Sequence, residues 1–194
     1  MPPLRIALSA SRSAPVLARL LADSNRGSVW ELSEIAGADY ILVCEDALDP
    51  STLARFEGKI LAIHEAVYDA ILFGESETRS SVYLLNDRGE RGPLFLLGAP
   101  YPLAPMALDA RERGDAAFLT QYAELHRQWM RMSWGDLLAR AIELLAGGTM
   151  QIVGDVVWID GAPGPCRMGH SPSVCHEPET MLARGIPRSC PFID

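Results

Sequence analysis

The stretch Ile60-Leu61-Ala62-Ile63-His64 decides the fold, because it is a short apolar run that ends in a histidine. Such a run is typical of a buried strand in a parallel sheet. Two further stretches follow it, Leu72-Phe73-Gly74-Glu75-Ser76-Glu77-Thr78 and Glu90-Arg91-Gly92-Pro93. Open parallel sheets bind their ligands at the carboxyl ends of the strands. The sequence therefore predicts an α/β fold with a candidate site at His64.

Apolar runs and helical periodicities alternate on both sides of this strand. The predicted strands are Leu4 to Leu8, Tyr40 to Cys44, Lys59 to Ile63, Ser80 to Leu85 and Leu94 to Leu97. The first three are separated by a helical pattern at Val16 to Leu21 and by a short helix opened by Asp49-Pro50-Ser51, which indicates parallel pairing. The last two flank a turn at Asn86 to Gly89, which indicates an antiparallel pair. The predicted sheet is mixed and mostly parallel.

The second half of the chain reads as a proline-rich connection followed by a long helix. Pro100 to Pro105 and the charged run Asp109 to Asp115 are interpreted as surface connections. Residues 115–145 have helical periodicity, with Gly135 as the point of division. The cluster Trp129, Met130, Met132 and Trp134 is interpreted as core, with a self-association face and hence a homodimer as the alternative. Residues 150–153 and 156–159 predict a terminal hairpin.

Composition narrows the class of protein. A chain of 194 residues with 48% apolar residues can form one α/β domain, predicted here over 1–161, with an irregular tail rich in Cys, His and Pro over 162–194. The formal charge of -8 argues against a nucleic-acid surface and favours a small-molecule substrate. Apolar runs are too short to span a membrane, and the first residues lack a signal-peptide pattern, so a cytoplasmic location is expected.

The order of these motifs resembles the folate-dependent formyltransferase family. That family's strand ends in Asn-x-His and is followed by a segment like Leu-x-Gly-Glu-x-x-Thr and by Asp-x-Gly-Pro. The resemblance runs from Leu4 to Gly161, with Ala62 at the Asn position, His64 at the His position and Glu90 at the Asp position. It implies a compact formyltransferase-like fold, shortened between the first helix and Ala38. It also implies one-carbon chemistry with 10-formyltetrahydrofolate as the formyl donor.

The resemblance assigns roles to particular residues. His64 would stabilise the oxygen anion that forms on the formyl group, and Glu90 would be its carboxylate partner. Asp87 is the reserve candidate for that carboxylate and is otherwise assigned to substrate binding. Ala62 cannot supply the family's amide donor. The alternatives are a strand-end histidine bonded to backbone and a solvated turn glutamate. The folate-contacting stretch of the family corresponds to Cys44 to Leu48, which is acidic here; Cys44 itself is interpreted as core.

Two other regions carry candidate ligand groups. Ser11, Arg12 and Ser13 lie in a loop between a strand and a helix, where they could bind an anionic part of the substrate or simply cap the helix. Cys166, His170, Cys175 and Cys190 have ligand types that suit zinc. Buried thiols, a disulfide of Cys166 with Cys175 or Cys190, and a disordered tail are the alternatives.

The sequence thus supports several functions. The leading one is transfer of a formyl group from 10-formyltetrahydrofolate to a small amine. Hydrolysis of the formyl group, with water in place of the amine, is the second. The third is a non-catalytic binding or regulatory relative that has lost the active-site Asn. A metal-dependent site in the tail is the last.

Overall fold

The structure is a computed structural model that describes residues 3–9, 14–24, 30–44, 46–147, 150–153, 156–159, 161–163 and 165–168. The chain divides into two compact units. Unit 1 comprises Met1–His64, Ser81–Leu97 and Gly135–Met168. Unit 2 comprises Glu65–Ser80, Gly98–Trp134 and Gly169–Asp194. Among the described residues, no helix has the length and apolar character needed to cross a membrane.

Six α-helices and twelve strands are present in the described residues. The helices are α1 (Ala14–Ser24), α2 (Pro50–Arg55), α3 (Val67–Phe73), α4 (Pro105–Arg113), α5 (Ala116–Arg131) and α6 (Trp134–Ala146). The strands are β1 (Leu4–Ser9), β2 (Trp30–Leu32), β3 (Tyr40–Val43), β4 (Ile60–Glu65), β5 (Glu77–Thr78), β6 (Ser80–Leu85), β7 (Arg91–Leu97), β8 (Tyr101–Pro102), β9 (Met150–Val153), β10 (Val156–Ile159), β11 (Ala162–Pro163) and β12 (Cys166–Arg167).

The main sheet confirms the mixed, mostly parallel prediction. Its strand order is β12-β7-β6-β4-β3-β1-β2. β1 pairs in parallel with β2 and β3, β3 with β4, and β12 with β7, whereas β6 and β7 are antiparallel. Ile41, Leu42, Ile60 and Leu61 are fully buried in the central strands, as continuous apolar runs require. The predicted hairpin at β9 and β10 is also confirmed.

Several elements of the connecting segments were not predicted from the sequence. Among the described residues between the first helix and Ala38 there is one short strand, β2. The interpretation of the charged run Asp109 to Asp115 as a surface connection was wrong, because the run belongs mostly to α4, which ends at Arg113 and is capped by Gly114, a glycine with φ of 70°. Its buried face consists of the small residues Ala107 and Ala110, which give little periodicity. Helix α3, between His64 and Gly74, was not predicted at all.

The long helical segment is divided as predicted, but two residues earlier. Helix α5 ends at Arg131 and α6 begins at Trp134, ahead of Gly135. Trp129, Met130 and Trp134 are 4%, 0% and 2% exposed, which confirms their interpretation as core, whereas Met132 is half-buried. The homodimer remains a prediction.

The core of unit 2 contains a buried aromatic cluster around His126. Tyr101, Tyr122 and Trp129 have ring centroids 6.3, 5.5 and 5.2 Å from that of His126. The Tyr122 hydroxyl accepts from the backbone N–H of Ala104 at 2.8 Å and lies 3.3 Å from Nδ1 of His126. His126 is fully buried, and this burial lowers its pKa to about 4. The imidazole is therefore neutral in the folded protein at neutral pH.

Asp115 is the N-cap residue of helix α5, and its substitution gives a first test of the structure. Its carboxylate accepts from the backbone N–H of Phe118 at 3.1 Å, so it satisfies a donor that the helix leaves unpaired. We expect Asp115→Ala to lower the free energy of unfolding by about 1 kcal/mol and Asp115→Asn, which keeps an acceptor, to leave it nearly unchanged. Urea unfolding of both variants measures this difference. Equal losses in the two variants would contradict the capping role.

Candidate active site

Strand β4 carries the candidate histidine at the carboxyl end of the sheet. Ala62 pairs with Val43 of β3 in parallel register. His64 lies two residues further along β4, so its side chain points to the same face of the sheet as that of Ala62. The ring of His64 is half-buried. The predicted position of His64 at a strand end is confirmed.

A cavity of about 260 Å³ opens beside His64. All of the residues that line it belong to unit 1: Val43, Cys44, Asp46, Ala62, Ile63, His64, Tyr83, Leu85, Gly89 and Arg91. Apolar side chains and a few polar groups of different character therefore surround one space, which is the usual composition of a small-molecule site.

Arg91 is the group that orients His64. Its Nη2 lies 3.1 Å from Nδ1 of His64. A guanidinium only donates hydrogen bonds, so Nδ1 accepts and the proton of a neutral imidazole is carried by Nε2. In this tautomer Nε2 carries the proton, and the contact with Arg91 holds the ring in one orientation.

Tyr83 supports both members of this pair. Its ring centroid lies 6.5 Å from that of His64, in an edge-to-face arrangement, and 6.0 Å from Cζ of Arg91. The second contact is at the outer limit of a cation–π interaction. Because Tyr83 lies on β6 and Arg91 on the neighbouring β7, the hairpin positions both groups against the end of β4.

Gly92 shows why the hairpin motif needs a glycine next to Arg91. A Cβ at this position would lie 2.8 Å from the backbone oxygen of Leu84, which cannot move without disturbing β6. We expect Gly92→Ala to lower the free energy of unfolding by about 1–3 kcal/mol, as overpacking does. Gly37→Ala is a matched control, because its Cβ would meet only a side-chain atom of Arg5 at 3.9 Å. Urea unfolding that gives equal stabilities for the two variants would contradict this account.

The predicted carboxylate partner lies on the same hairpin. Oε2 of Glu90 accepts from Nδ2 of Asn86 at 3.0 Å, and the Glu90 side chain is exposed. Asp87 is exposed in the turn. The hydrogen bond described for Nδ1 of His64 comes from Arg91 rather than from Glu90. The catalytic role of Glu90 and the substrate-side role of Asp87 remain predictions.

The acidic stretch after β3 also contributes to the cavity. Asp46 lines it and accepts a hydrogen bond from Oγ of Ser9 at 3.3 Å. Cys44 follows the last residue of β3 and is half-buried against the same space, so its interpretation as plain core was wrong. The predicted anion-binding residues Ser11, Arg12 and Ser13 lie outside the described residues.

The predicted metal ligands fall mostly outside the described part of the chain. Cys166 is half-buried on β12, which pairs with β7. His170, Cys175 and Cys190 are not among the described residues. Within the described ranges, no group of three or more His, Cys, Asp or Glu side chains could hold a metal ion. Zinc in the tail therefore remains a prediction.

Glu65 is a buried carboxylate that the sequence interpretation missed. Its side chain is 5% exposed, and its Oε1 accepts from Nε1 of Trp134 at 2.7 Å and from Oγ of Ser80 at 3.3 Å. Nε of Arg131 is 4.0 Å from Oε2. Burial raises the pKa of Glu65 to about 7, and these partners oppose the rise. Glu65 is the last residue of an apolar strand and precedes a helix that was not predicted, so no sequence pattern indicates that it is buried.

Comparisons with known proteins identify the fold. No family model matches the sequence, and no curated protein matches it. Solved structures do match. A phosphoribosylglycinamide formyltransferase from Coxiella burnetii aligns with a TM-score of 0.57 at 14% identity, over 87% of this chain and 100% of that one. A glycinamide ribonucleotide transformylase from Symbiobacterium toebii aligns with a TM-score of 0.55 at 18% identity, over 81% and 94% of the two chains.

A third similar structure is that of a protein with a different activity. A formyltetrahydrofolate deformylase from Burkholderia mallei aligns with a TM-score of 0.51 at 13% identity, over 82% of this chain and 71% of that one. At these identities the likeness shows the fold alone. The chain therefore has a formyltransferase-like α/β fold, as the motif order of the sequence predicted.

Proposed function

We propose that this protein is an enzyme that removes a formyl group from 10-formyltetrahydrofolate and passes it to a small amine. The observation that carries the proposal is the His64–Arg91 pair at the end of β4, in a cavity lined by Ala62 and Tyr83. The resemblance of the surrounding motifs and the formyltransferase-like fold support the same reaction.

The cavity can supply the electrostatic part of this chemistry. When the amine nitrogen attacks the formyl carbon, negative charge develops on the formyl oxygen. In the proposed reaction the Nε2–H of His64 donates to that oxygen, and the positive charge of Arg91 stabilises it further. The bond between the formyl carbon and the folate nitrogen then breaks, the folate nitrogen takes a proton, and the attacking nitrogen loses one.

The chemical character of the cavity also suits the reacting end of the formyl donor, 10-formyltetrahydrofolate. Val43, Ala62 and Leu85 give it apolar walls, and Asp46 is a carboxylate that can accept hydrogen bonds from the amino and ring N–H groups of a pterin. A folate would thus be bound between apolar walls and one acidic group, in place of the apolar stretch of the family.

Hydrolysis is a second candidate, favoured by the segment that follows His64. Helix α3 occupies positions 67–73, where the family has a Pro-rich substrate loop. Without that loop an amine acceptor has fewer contacts, and water can take its place. The products would then be formate and tetrahydrofolate rather than a formylated amine.

The test is incubation of the full chain with 10-formyltetrahydrofolate, with and without a panel of small amines. We expect tetrahydrofolate to be released and His64→Ala to slow the release by about 10²- to 10³-fold, the effect of losing one oxyanion donor. Arg88→Met is the control, because Arg88 is an exposed residue of the same hairpin that does not line the cavity. Mass spectrometry of the products distinguishes a formylated amine from formate. If neither release nor binding is detected, the proposed function is wrong.

A further inference from the structure

Arg91 has more hydrogen-bonding capacity than its contact with His64 uses. One donor, on Nη2, is directed at Nδ1 of His64. Among the described residues, the other N–H groups of this guanidinium donate to no protein group, and no carboxylate forms an ion pair with it. Arg91 is also exposed to solvent while it lines the cavity. A cation in this situation presents a planar set of donors to whatever enters the site, and such a set matches a carboxylate.

The charge of the cavity restricts which anion fits. Arg91 is the one cationic side chain among the described lining residues, and Asp46 is the one carboxylate. The two charges cancel, so the cavity does not favour a dianion such as a phosphate monoester. A molecule with one negative and one positive end matches both groups.

The order of the strands separates these two charges. Asp46 follows β3, His64 lies on β4, and Arg91 lies on β7, with β6 between β4 and β7. His64 therefore stands between the carboxylate and the cation along the sheet. A zwitterion that places its acidic end on Arg91 brings its amine toward His64 and Asp46.

We propose that the acceptor of the formyl group is an amine that also carries a carboxylate, such as a small amino acid, and that Arg91 binds this carboxylate. This inference rests on the proposed function and specifies its acceptor. The ammonium group first loses one proton to solvent, and the neutral nitrogen attacks the formyl carbon. After the attack, the acceptor nitrogen carries one proton more than the nitrogen of the amide product, and it loses this proton. The folate nitrogen gains one proton, and the products are an N-formyl amino acid and tetrahydrofolate.

The experiment compares three acceptors of similar size: glycine, methylamine and aminomethylphosphonate. Tetrahydrofolate release is measured for the wild type, Arg91→Met and the control Arg88→Met. With kcat/KM expressed per concentration of neutral amine, we expect the wild type and Arg88→Met to prefer glycine over methylamine by about 10- to 100-fold, the range for a hydrogen-bonded charged group. Arg91→Met should abolish that preference. Aminomethylphosphonate should react no faster than methylamine, because its phosphonate is a poorer match to a cavity of zero net charge.

The ratio of the glycine and methylamine rates is the decisive readout, since a merely structural role of Arg91 would slow both acceptors equally. Binding of glycine alone, followed by NMR without folate, supplies a second measurement that should be weakened by Arg91→Met. Release that is equal for glycine and methylamine, or glycine binding that Arg91→Met leaves unchanged, would overturn this inference and leave the proposed function standing. Absence of release with every amine and with water would instead refute the proposed function.

Discussion

Replacing Ala62 with asparagine is expected to raise the rate of formyl release by about 10²- to 10³-fold, the effect usually associated with one oxyanion donor. Ala62 and His64 point to the same face of β4 and line the same cavity. An amide N–H at position 62 would join the Nε2–H of His64 on the developing oxygen anion. The measurement is kcat/KM for tetrahydrofolate release with the preferred acceptor.

The matched control for this gain of function is Ala62→Asp. Aspartate has the size and shape of asparagine, but its carboxylate cannot donate a hydrogen bond to an anion and repels it. We expect Ala62→Asp to be no faster than the wild type. A second control, His64→Ala in the asparagine background, should remove most of the gain. If Ala62→Asn and Ala62→Asp have the same rate, the cavity does not hold the oxygen anion where we place it.

The second large effect concerns the dependence of stability on pH, which two buried groups in unit 2 control in opposite directions. Burial raises the pKa of Glu65 from 4.5 to about 7, so the folded state holds its proton more tightly than the unfolded state. The stability from Glu65 is complete below pH 4.5 and is lost as the pH rises through about 7. Burial lowers the pKa of His126 from 6.5 to about 4. The stability from His126 is complete above pH 6.5 and is lost as the pH falls through about 4.

Between about pH 4.5 and 6.5 these two contributions cancel in the wild type. Single substitutions should therefore reveal a dependence of the free energy of unfolding on pH that is cancelled in the wild type. As the pH rises across this window, the free energy of unfolding of Glu65→Gln is expected to increase by about 3 kcal/mol relative to the wild type. Over the same rise in pH, the free energy of unfolding of His126→Gln is expected to decrease by about 3 kcal/mol relative to the wild type. The double variant should again follow the wild type.

Urea unfolding at a series of pH values measures these differences. Other titrating groups are common to all four proteins, so they drop out when each variant is subtracted from the wild type. Glutamine keeps an acceptor for the indole of Trp134 and for the hydroxyl of Tyr122, which limits the loss of packing and hydrogen bonds. A difference curve that does not change with pH for either single variant would show that the corresponding group is not buried as described.

The central strands and the position of His64 could be predicted from sequence because they depend on short-range patterns. Continuous apolar runs identify β3 and β4, and the turn at Asn86 to Gly89 identifies the antiparallel pair. Helix α4 was missed for a physical reason: its buried face consists of the small residues Ala107 and Ala110, while Met106 is exposed, so large apolar residues do not recur at helical spacing. The interpretation of Asp109 to Asp115 as a solvated loop followed from the charges of this run.

The contact between His64 and Arg91 could not be predicted in the same way. The motif position indicated Glu90, and Arg91 is the residue whose guanidinium lies beside Nδ1 of His64. The pairing of β6 with β7 contains two irregularities, between Val82 and Tyr83 and between Tyr83 and Leu85. Each one interrupts the regular alternation of side chains between the two faces. Which residue of Glu90-Arg91 faces the cavity is therefore set by strand geometry that composition and spacing do not encode.

The hydrogen bond between Trp134 and Glu65 gives the protein an optical reporter of its own. The indole N–H lies 2.7 Å from a carboxylate oxygen whose charge changes near neutral pH. The excited state of indole shifts electron density away from this nitrogen, so the emission wavelength of Trp134 responds to the charge beside it. The chain has four tryptophans, so the difference in fluorescence between the native protein and a Trp134→Phe variant should follow proton uptake by Glu65, with no denaturant, label or substrate.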